Sequence, residues 1–224
     1  MFKSKRIAAI IFDLDGLVLD TEHTYHLAWQ HAALTMNLDL SDAFCLSLSG
    51  LHHLAIRQKL IERFGSDFDL QHFHATAGEC WQTLIDKHGI AIKAGFCELL
   101  KAIQYRSLPY CLATNSPKIN ALKCLDVAGL TGAFPVIFSR DEVNCGKPAP
   151  DLFILAAATL QSPLGNCLIL EDSYTGILAA SQSGAMSVYV PSIFPAEPAA
   201  ITLADVVAHD LHHVLAMLKT EQCL

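Results

Sequence analysis

Positive charge is scarce in this chain of 224 residues, which has 15 lysines and arginines against 22 aspartates and glutamates. The formal net charge of -7 argues against a general binder of nucleic acid or of anionic membranes. The acidic balance does not exclude an anionic substrate, because a bound cation can reverse the local field. No segment of the sequence indicates an obligate protein partner.

The sequence also lacks paired cysteine motifs and long apolar segments. Its eight cysteines are scattered singly, without a C-x-x-C motif, and several of them lie in apolar runs. This pattern is typical of reduced, mostly buried thiols and favours a cytoplasmic protein. The apolar run at residues 7–12 is too short for a signal peptide, and no segment approaches the roughly 18 apolar residues of a transmembrane helix.

Repeats, low-complexity segments and long disordered linkers are absent as well. The length of the chain fits one large domain, or one domain with a smaller insertion. Five short apolar runs predict strands buried on both faces, and amphipathic stretches between them predict helices. The runs are residues 7–12, 109–113, 136–138, 167–170 and 187–190, and the helical stretches are residues 117–128, 151–160 and 174–183. This alternation predicts an α/β fold with a parallel sheet and helices on both faces.

One region breaks the alternation of strands and helices. Residues 21–36, 51–64 and 70–87 all predict helices, and no good central strand separates them. We therefore expect a helical insertion after the first strand. The predicted division is an α/β core of residues 1–19 and 92–224, with the insertion at residues 20–91.

Two acidic residues follow the first predicted strand. Asp13 and Asp15 stand one residue apart, and Gly16 permits a turn that brings both toward the edge of the sheet. Ligands bind at the carboxyl ends of the strands in open α/β sheets, so both acids are candidate site residues. Taken alone, the motif is equally compatible with a polar turn at the end of a strand.

Two further segments carry candidate phosphate ligands. Thr114, Asn115 and Ser116 follow the second predicted strand and precede a helix, a position suited to anion binding but also to an ordinary helix cap. Lys147 lies between Gly146 and Pro148 in a loop that precedes another helix. A solvated loop lysine is the usual case, whereas a lysine held toward a phosphate and a carboxylate is the functional alternative.

A fourth segment supplies a second pair of acids. Glu171 and Asp172 directly follow a fully apolar predicted strand. Clustered carboxylates repel each other, so they must be paired or bind a metal ion. Their oxygen atoms suit Mg2+. Together the four segments supply a nucleophile, a second acid, a hydroxyl donor, a lysine and metal ligands, which are the components of phosphoryl transfer.

In these four segments and their order, the chain resembles the haloacid dehalogenase-like (HAD) superfamily, in its phosphatase and beta-phosphoglucomutase-like branch. The matching residues are Phe12-Asp13-Leu14-Asp15-Gly16, Ala113-Thr114-Asn115-Ser116, Gly146-Lys147-Pro148 and Glu171-Asp172-Ser173-Tyr174-Thr175-Gly176-Ile177. The resemblance covers nearly the whole chain. It implies a Rossmann-like core and a small helical cap, which corresponds to the insertion at residues 20–91.

The resemblance also implies roles in catalysis. Asp13 would attack phosphorus and become an aspartyl phosphate, and Asp15 would protonate the leaving oxygen and then activate water. Thr114, Asn115 and Lys147 would bind the phosphoryl group. Asp15 argues against dehalogenation, because displacing a halide needs no proton donor.

Metal binding is implied in the same way. Mg2+ would be held by the Asp13 side chain, the Asp15 backbone carbonyl and the Asp172 side chain. Glu171 would be either a further ligand or a partner of the ligands.

The resulting prediction is an Mg2+-dependent phosphatase that acts on a small phosphorylated metabolite, with a sugar phosphate as the expected class. A phosphohexomutase of the beta-phosphoglucomutase type is the alternative, because it shares all four motifs. The mutases carry a histidine at the position of Tyr25, and His26 would point roughly 100° away on a helix. A non-catalytic binding protein with the same fold is a further alternative, although the acids and the lysine are all present.

Substrate choice is expected to depend on the cap. Its specificity loop is predicted near Gly50, His52 and His53, where the histidines could hydrogen-bond sugar hydroxyls. The equally compatible interpretation is a pair of solvated histidines at the start of a helix.

Overall fold

The computed structural model describes residues 7–48 and 53–220. The chain divides into two compact units. The first combines the residues up to Leu19 with those from Ala91 onward, and the second runs from Asp20 to Ile90.

The first unit contains a parallel sheet of six strands. The strands are β1 (Ala9–Phe12), β2 (Tyr110–Ala113), β3 (Ile137–Phe138), β4 (Cys167–Glu171), β5 (Met186–Tyr189) and β6 (Val206–Val207). They are arranged in the order β3-β2-β1-β4-β5-β6, so β1 lies in the centre between β2 and β4. The predicted α/β class with a parallel sheet is confirmed. Only β6 was not predicted, because this short edge strand is not fully buried and lacks the apolar run used to identify the other strands.

Ten α-helices lie within the described residues. They are α1 (Thr21–Thr35), α2 (Asp42–Leu46), α3 (His53–Phe64), α4 (Leu70–His88), α5 (Phe96–Tyr105), α6 (Lys118–Val127), α7 (Asp151–Thr159), α8 (Tyr174–Ser183), α9 (Pro198–Leu203) and α10 (Leu211–Thr220). None of them combines the length and the hydropathy that a membrane-spanning segment needs.

Helices cover both faces of the sheet because neighbouring residues of a strand point to opposite sides. On one face, Ile11 shares a buried cluster with Leu152 and Phe153 of α7. On the other face, the ring of Phe12 meets that of Phe96 of α5 edge-on, with ring centroids 5.8 Å apart. All four residues of β1 are buried, which explains the continuous apolar run.

The second unit consists of helices α1 to α4. Its core joins small residues of α1 to Phe73 and Ala77 of α4. The ring of Tyr25 stacks on that of Trp81 at a centroid distance of 5.1 Å, and Trp81 Nε1 donates to Thr24 Oγ1 over 3.0 Å. Helix α2 was not predicted, since its five residues are too few for a helical period.

Candidate active site

The carboxylate of Asp13 lies just beyond the end of β1 and is buried. Its backbone N–H donates to the carbonyl of Leu170 over 3.0 Å, so the ladder between β1 and β4 extends to this residue. The chain then turns at Gly16, where φ is +85°. A Cβ atom at Gly16 would lie 2.0 Å from Asp172 Oδ2, so both the backbone conformation and the space require glycine.

Two hydroxyl groups from the end of β2 hold the carboxylate of Asp15. Ser116 Oγ donates to Asp15 Oδ2 over 2.7 Å, and Thr114 Oγ1 donates to the same oxygen over 3.3 Å. The backbone N–H of Ser116 in turn donates to Thr114 Oγ1 over 3.0 Å. The aligned ends of β1 and β2 thus bring Asp15 next to the predicted phosphate-binding segment.

The ammonium group of Lys147 links three strand ends. It is buried and donates to the carboxylates of Asp13 and Glu171, and to the carbonyl of Ala113 over 2.8 Å. Its Nζ atom also lies 5.1 Å from the ring centroid of Phe153. Burial disfavours the charge on Lys147, but attraction by Asp13 and Glu171 outweighs it and raises the pKa of this lysine.

The neighbouring carboxyl ends of the parallel strands β1 and β4 bring several carboxylates together. Burial is the main reason that the pKa of Asp13 is raised well above its ordinary value, and the charges of Glu171 and Asp15 act in the same direction. Lys147 opposes this shift without reversing it. The three neighbouring carboxyl groups of Asp13, Glu171 and Asp172 outnumber the ammonium group of Lys147 that contacts them, which favours binding of a cation.

The structure offers a set of ligands for such a cation. Carboxylate oxygens of Asp13, Glu171 and Asp172 all lie within 4.8 Å of one another, and all three residues are buried. Hard oxygen donors of this kind fit Mg2+. The Asp15 backbone carbonyl, the fourth predicted ligand atom, stays a prediction.

Glu171 is held from several sides. Its Oε2 atom accepts hydrogen bonds from the Asp172 N–H and from Ser173 Oγ, each over 3.2 Å, while Lys147 donates to Oε1. Ser173 also caps α8 by accepting from the N–H of Gly176 over 3.1 Å. A Cβ atom at Gly176 would lie 1.9 Å from the carboxyl carbon of Glu171, so only glycine leaves room for this carboxylate.

The side chain of Asn115 contacts the backbone of Lys147. Its Nδ2 donates to the Lys147 carbonyl over 2.9 Å, and its Oδ1 accepts from the Lys147 N–H over 2.8 Å. The predicted contact of Asn115 with phosphate stays a prediction. The observed contact connects the end of β2 to the loop before α7.

The predicted specificity loop is described only in part. Gly50 and His52 lie outside the described residues. The backbone of His53 begins α3, and its side chain is not described.

The contacts of Ser116, Ser173 and Gly176 at the candidate site were not predicted from the sequence. A signal existed for the two serines, because each is a hydroxyl residue one or two positions beyond a candidate site residue at a strand end. Gly176 is the third residue after Ser173, the N-cap residue of α8. No local pattern indicates that its missing side chain makes space for Glu171.

Comparison with known proteins identifies the family to which the chain is similar. A family model described as haloacid dehalogenase-like hydrolase matches residues 7–184. The fructose-1-phosphate phosphatase YqaB of Escherichia coli is 30% identical over 181 residues, which cover 80% of this chain and 94% of that protein. Beta-phosphoglucomutase of Bacillus subtilis is 28% identical over 81% of this chain and 82% of the mutase.

Two other comparisons differ in how much of the matched protein they cover. The chain spans only 54% of the bifunctional riboflavin kinase/FMN phosphatase of Arabidopsis thaliana, to which it is 26% identical over 92% of its own length. A crystal structure described as a HAD family hydrolase from Deinococcus radiodurans R1, with bound phosphate and sodium, superposes with a TM-score of 0.82. The two chains are 25% identical, and the match covers 99% of each.

Proposed function

Because the chain belongs to the haloacid dehalogenase-like hydrolase family, we propose that it is an Mg2+-dependent phosphatase that hydrolyses a small sugar phosphate. The observation that carries this proposal is the buried contact between Asp13 and Lys147 at the central strand end, beside the carboxylates of Glu171 and Asp172. A nucleophile, a fixed positive charge and a set of metal ligands meet at this point, as phosphoryl transfer requires.

Asp13 is the proposed nucleophile. One of its carboxylate oxygens forms a bond to phosphorus while the bond from phosphorus to the substrate oxygen breaks, which leaves an aspartyl phosphate. Lys147 reduces the repulsion between this carboxylate and the incoming phosphate, because its ammonium group already donates to Asp13. Thr114 is proposed to donate its hydroxyl proton to the phosphoryl group when substrate binds, in place of its 3.3 Å hydrogen bond to Asp15.

Asp15 is the proposed general acid and base. It gives its proton to the leaving oxygen, and it then takes a proton from the water that attacks the aspartyl phosphate. The hydroxyls of Ser116 and Thr114 support this role, because a hydroxyl can hydrogen-bond to a carboxyl group in either protonation state.

Asp13, Asp172 and the Asp15 carbonyl are the proposed ligands of Mg2+. When bound, Mg2+ would neutralise charge on the phosphoryl oxygens and bring substrate and nucleophile together. Glu171 accepts hydrogen bonds from Lys147, Ser173 and the Asp172 N–H, which supports a role in orienting the ligands.

Two observations support hydrolysis rather than phosphate transfer between sugar positions. The relative from Escherichia coli that matches over 94% of its length is a fructose-1-phosphate phosphatase. In addition, Tyr25 stands where the mutases carry a histidine, and its ring is stacked on Trp81. We propose that the helical unit, including the segment with Gly50, His52 and His53, determines which sugar phosphate is accepted.

The proposal is tested by measuring phosphate release from a panel of phosphorylated sugars and nucleotides, with Mg2+ and with excess EDTA. Release should require Mg2+ and should be absent in Asp13→Asn. Conversion of a hexose 1-phosphate to its 6-phosphate without phosphate release would instead identify a mutase. No turnover, together with a raised melting temperature in Mg2+ and a fluoride analogue of phosphate, would identify a binding protein.

A further inference from the structure

We propose that Asn115 is a positioning residue, whose side-chain amide fixes the backbone of Lys147 so that the ammonium group reaches Asp13 and Glu171. This inference rests on the proposed function of Asp13 and Lys147. It gives the Asn115 side chain a role that does not require contact with the substrate.

The two hydrogen bonds between Asn115 and Lys147 are reciprocal. Asn115 donates to the carbonyl of Lys147 over 2.9 Å and accepts from its N–H over 2.8 Å. Because the N–H can only donate and the carbonyl can only accept, the orientation of the amide is fixed. One side chain thus binds both polar backbone groups of Lys147, although the two residues are 32 positions apart.

Lys147 needs this support because of where its backbone lies. It belongs to the loop between the 3-10 turn Arg140–Glu142 and α7, so no helix or strand fixes its position. A lysine side chain has four rotatable bonds, and its ammonium group must still meet three acceptors. A displaced backbone would move the ammonium group away from Asp13, since the side chain is buried and has little room to compensate.

Gly146 gives independent support for the same contact. A Cβ atom at this residue would lie 2.5 Å from Asn115 Oδ1 and 2.4 Å from Cδ of Arg140. The Arg140 guanidinium is itself bound to the carbonyls of Val143 and Asn144, over 2.7 and 3.1 Å. The space that Asn115 occupies therefore exists only because residue 146 has no side chain.

This arrangement predicts that two different substitutions have the same effect. Asn115→Ala removes the amide, and Gly146→Ala keeps the amide but obstructs its contact with Lys147. Each should lower kcat by up to about 10²-fold, the loss typical of a misplaced catalytic group, with a KM within about threefold of wild type. Gly165→Ala is the matched control, because a Cβ atom there meets only the carbonyl of Gly184, at 3.9 Å.

A double-mutant cycle separates positioning from direct contact with the substrate. If Asn115 acts through Lys147, adding Asn115→Ala to Lys147→Ala should cause no further loss of kcat. Losses that multiply would mean that Asn115 contacts the phosphoryl group independently, and this would overturn the proposal. So would a loss confined to KM in Asn115→Ala with normal kcat in Gly146→Ala.

A second measurement does not depend on activity. The side chain of Lys147 is 3% exposed, whereas Lys101 on α5 is exposed and serves as the internal reference. Acetylation of the native protein, followed by peptide mass spectrometry, should modify Lys147 faster in Asn115→Ala and Gly146→Ala than in wild type or Gly165→Ala. Equal protection of Lys147 in all four proteins would overturn the inference. Absence of turnover in wild type would instead reject only the proposed function.

Discussion

At the end of β1, Asp13 and Asp15 stand one residue apart, and the partners of Asp15 include two hydroxyl groups. At the end of β4, Glu171 and Asp172 are adjacent, and the partners of Glu171 include Lys147, a backbone N–H and the Ser173 hydroxyl. A hydroxyl can donate or accept, whereas an ammonium group and a backbone N–H only donate. Glu171 has an ammonium donor in addition to a hydroxyl, whereas the described hydrogen bonds to Asp15 come from hydroxyls, and this supports the proposal that Asp15, rather than Glu171, exchanges protons with the substrate.

The two strand ends also share a feature, because each has a glycine against a carboxylate. Gly16 leaves room for Asp172, and Gly176 leaves room for Glu171. The backbone at Gly16 is left-handed, whereas Gly176 lies within α8. At both strand ends a carboxylate thus packs against a glycine, which lies in a turn at Gly16 and in a helix at Gly176.

The largest effect should come from the nucleophile at the end of β1. In Asp13→Asn the amide is neither a nucleophile nor a good metal ligand, so turnover should fall by about 10⁴-fold or more. Circular dichroism should show an unchanged fold. Near-normal phosphate release by this variant would rule out the covalent mechanism.

The second-largest effect should come from Asp15, the proposed proton donor and acceptor, and it should differ in kind from the effect of changing Glu171. Asp15→Ala should slow hydrolysis by about 10²–10⁴-fold for a sugar phosphate, but less for an aryl phosphate, whose leaving group needs little protonation. Aspartyl phosphate should accumulate on the Asp13 peptide and be detectable by rapid-quench mass spectrometry.

Glu171→Gln is the matched comparison for this test. It should lower the rate for both classes of leaving group by a similar factor, because Glu171 does not exchange protons with the substrate. If Asp15→Ala also slows both classes equally and traps no intermediate, Asp15 has only a structural role.

A smaller effect is expected from the two glycines. Gly16→Ala should lower both activity and the free energy of unfolding, the latter by about 1–3 kcal/mol, because it strains the backbone and displaces Asp172. Gly176→Ala should lower activity and stability by displacing Glu171, but its stability loss should be smaller than that of Gly16→Ala, because the helical backbone at residue 176 accepts alanine without strain.

Denaturant unfolding and kcat measurements on both variants, with Gly165→Ala as the control, test this difference. Identical stability losses in Gly16→Ala and Gly176→Ala would contradict the distinction between a turn and a helix.

The smallest effects should separate two serines. Ser116→Ala removes a hydrogen bond to Asp15 and should reduce kcat by about tenfold, which corresponds to the roughly 1.5 kcal/mol of a hydrogen bond to a charged group. Ser173→Ala removes the cap of α8 and should cost about 1 kcal/mol of stability. Thermal unfolding and steady-state kinetics distinguish them, and a reversed pattern would contradict the assigned contacts.

Much of the fold could be predicted because its signals are local. The buried strands β1 and β4 are continuous apolar runs, and Asp13 and Glu171 stand where those runs end. Helices α2, α9 and α10 and strand β6 were missed; α2, α9 and β6 have only two to six residues, which carry little periodicity, whereas α10 has ten. Their existence depends on packing partners that lie elsewhere in the chain.

Candidate site residues could be named from the sequence, but the contacts between them could not be predicted. Asn115 was selected as a phosphate ligand from its position before α6, yet its described hydrogen bonds go to the backbone of Lys147. The effect of a missing side chain at Gly146 is equally invisible in the sequence. Such contacts join residues distant along the chain, and only the three-dimensional arrangement reveals them.

The hydrogen bond from the backbone of Asp13 to Leu170 has a consequence for the durability of the enzyme. Residues in the central ladder of a sheet exchange their amide hydrogens only when the whole domain opens. Asp13 should therefore be among the slowest-exchanging amides of the chain. On heating, the backbone of the nucleophile should therefore keep its place in the sheet until the domain unfolds as a whole.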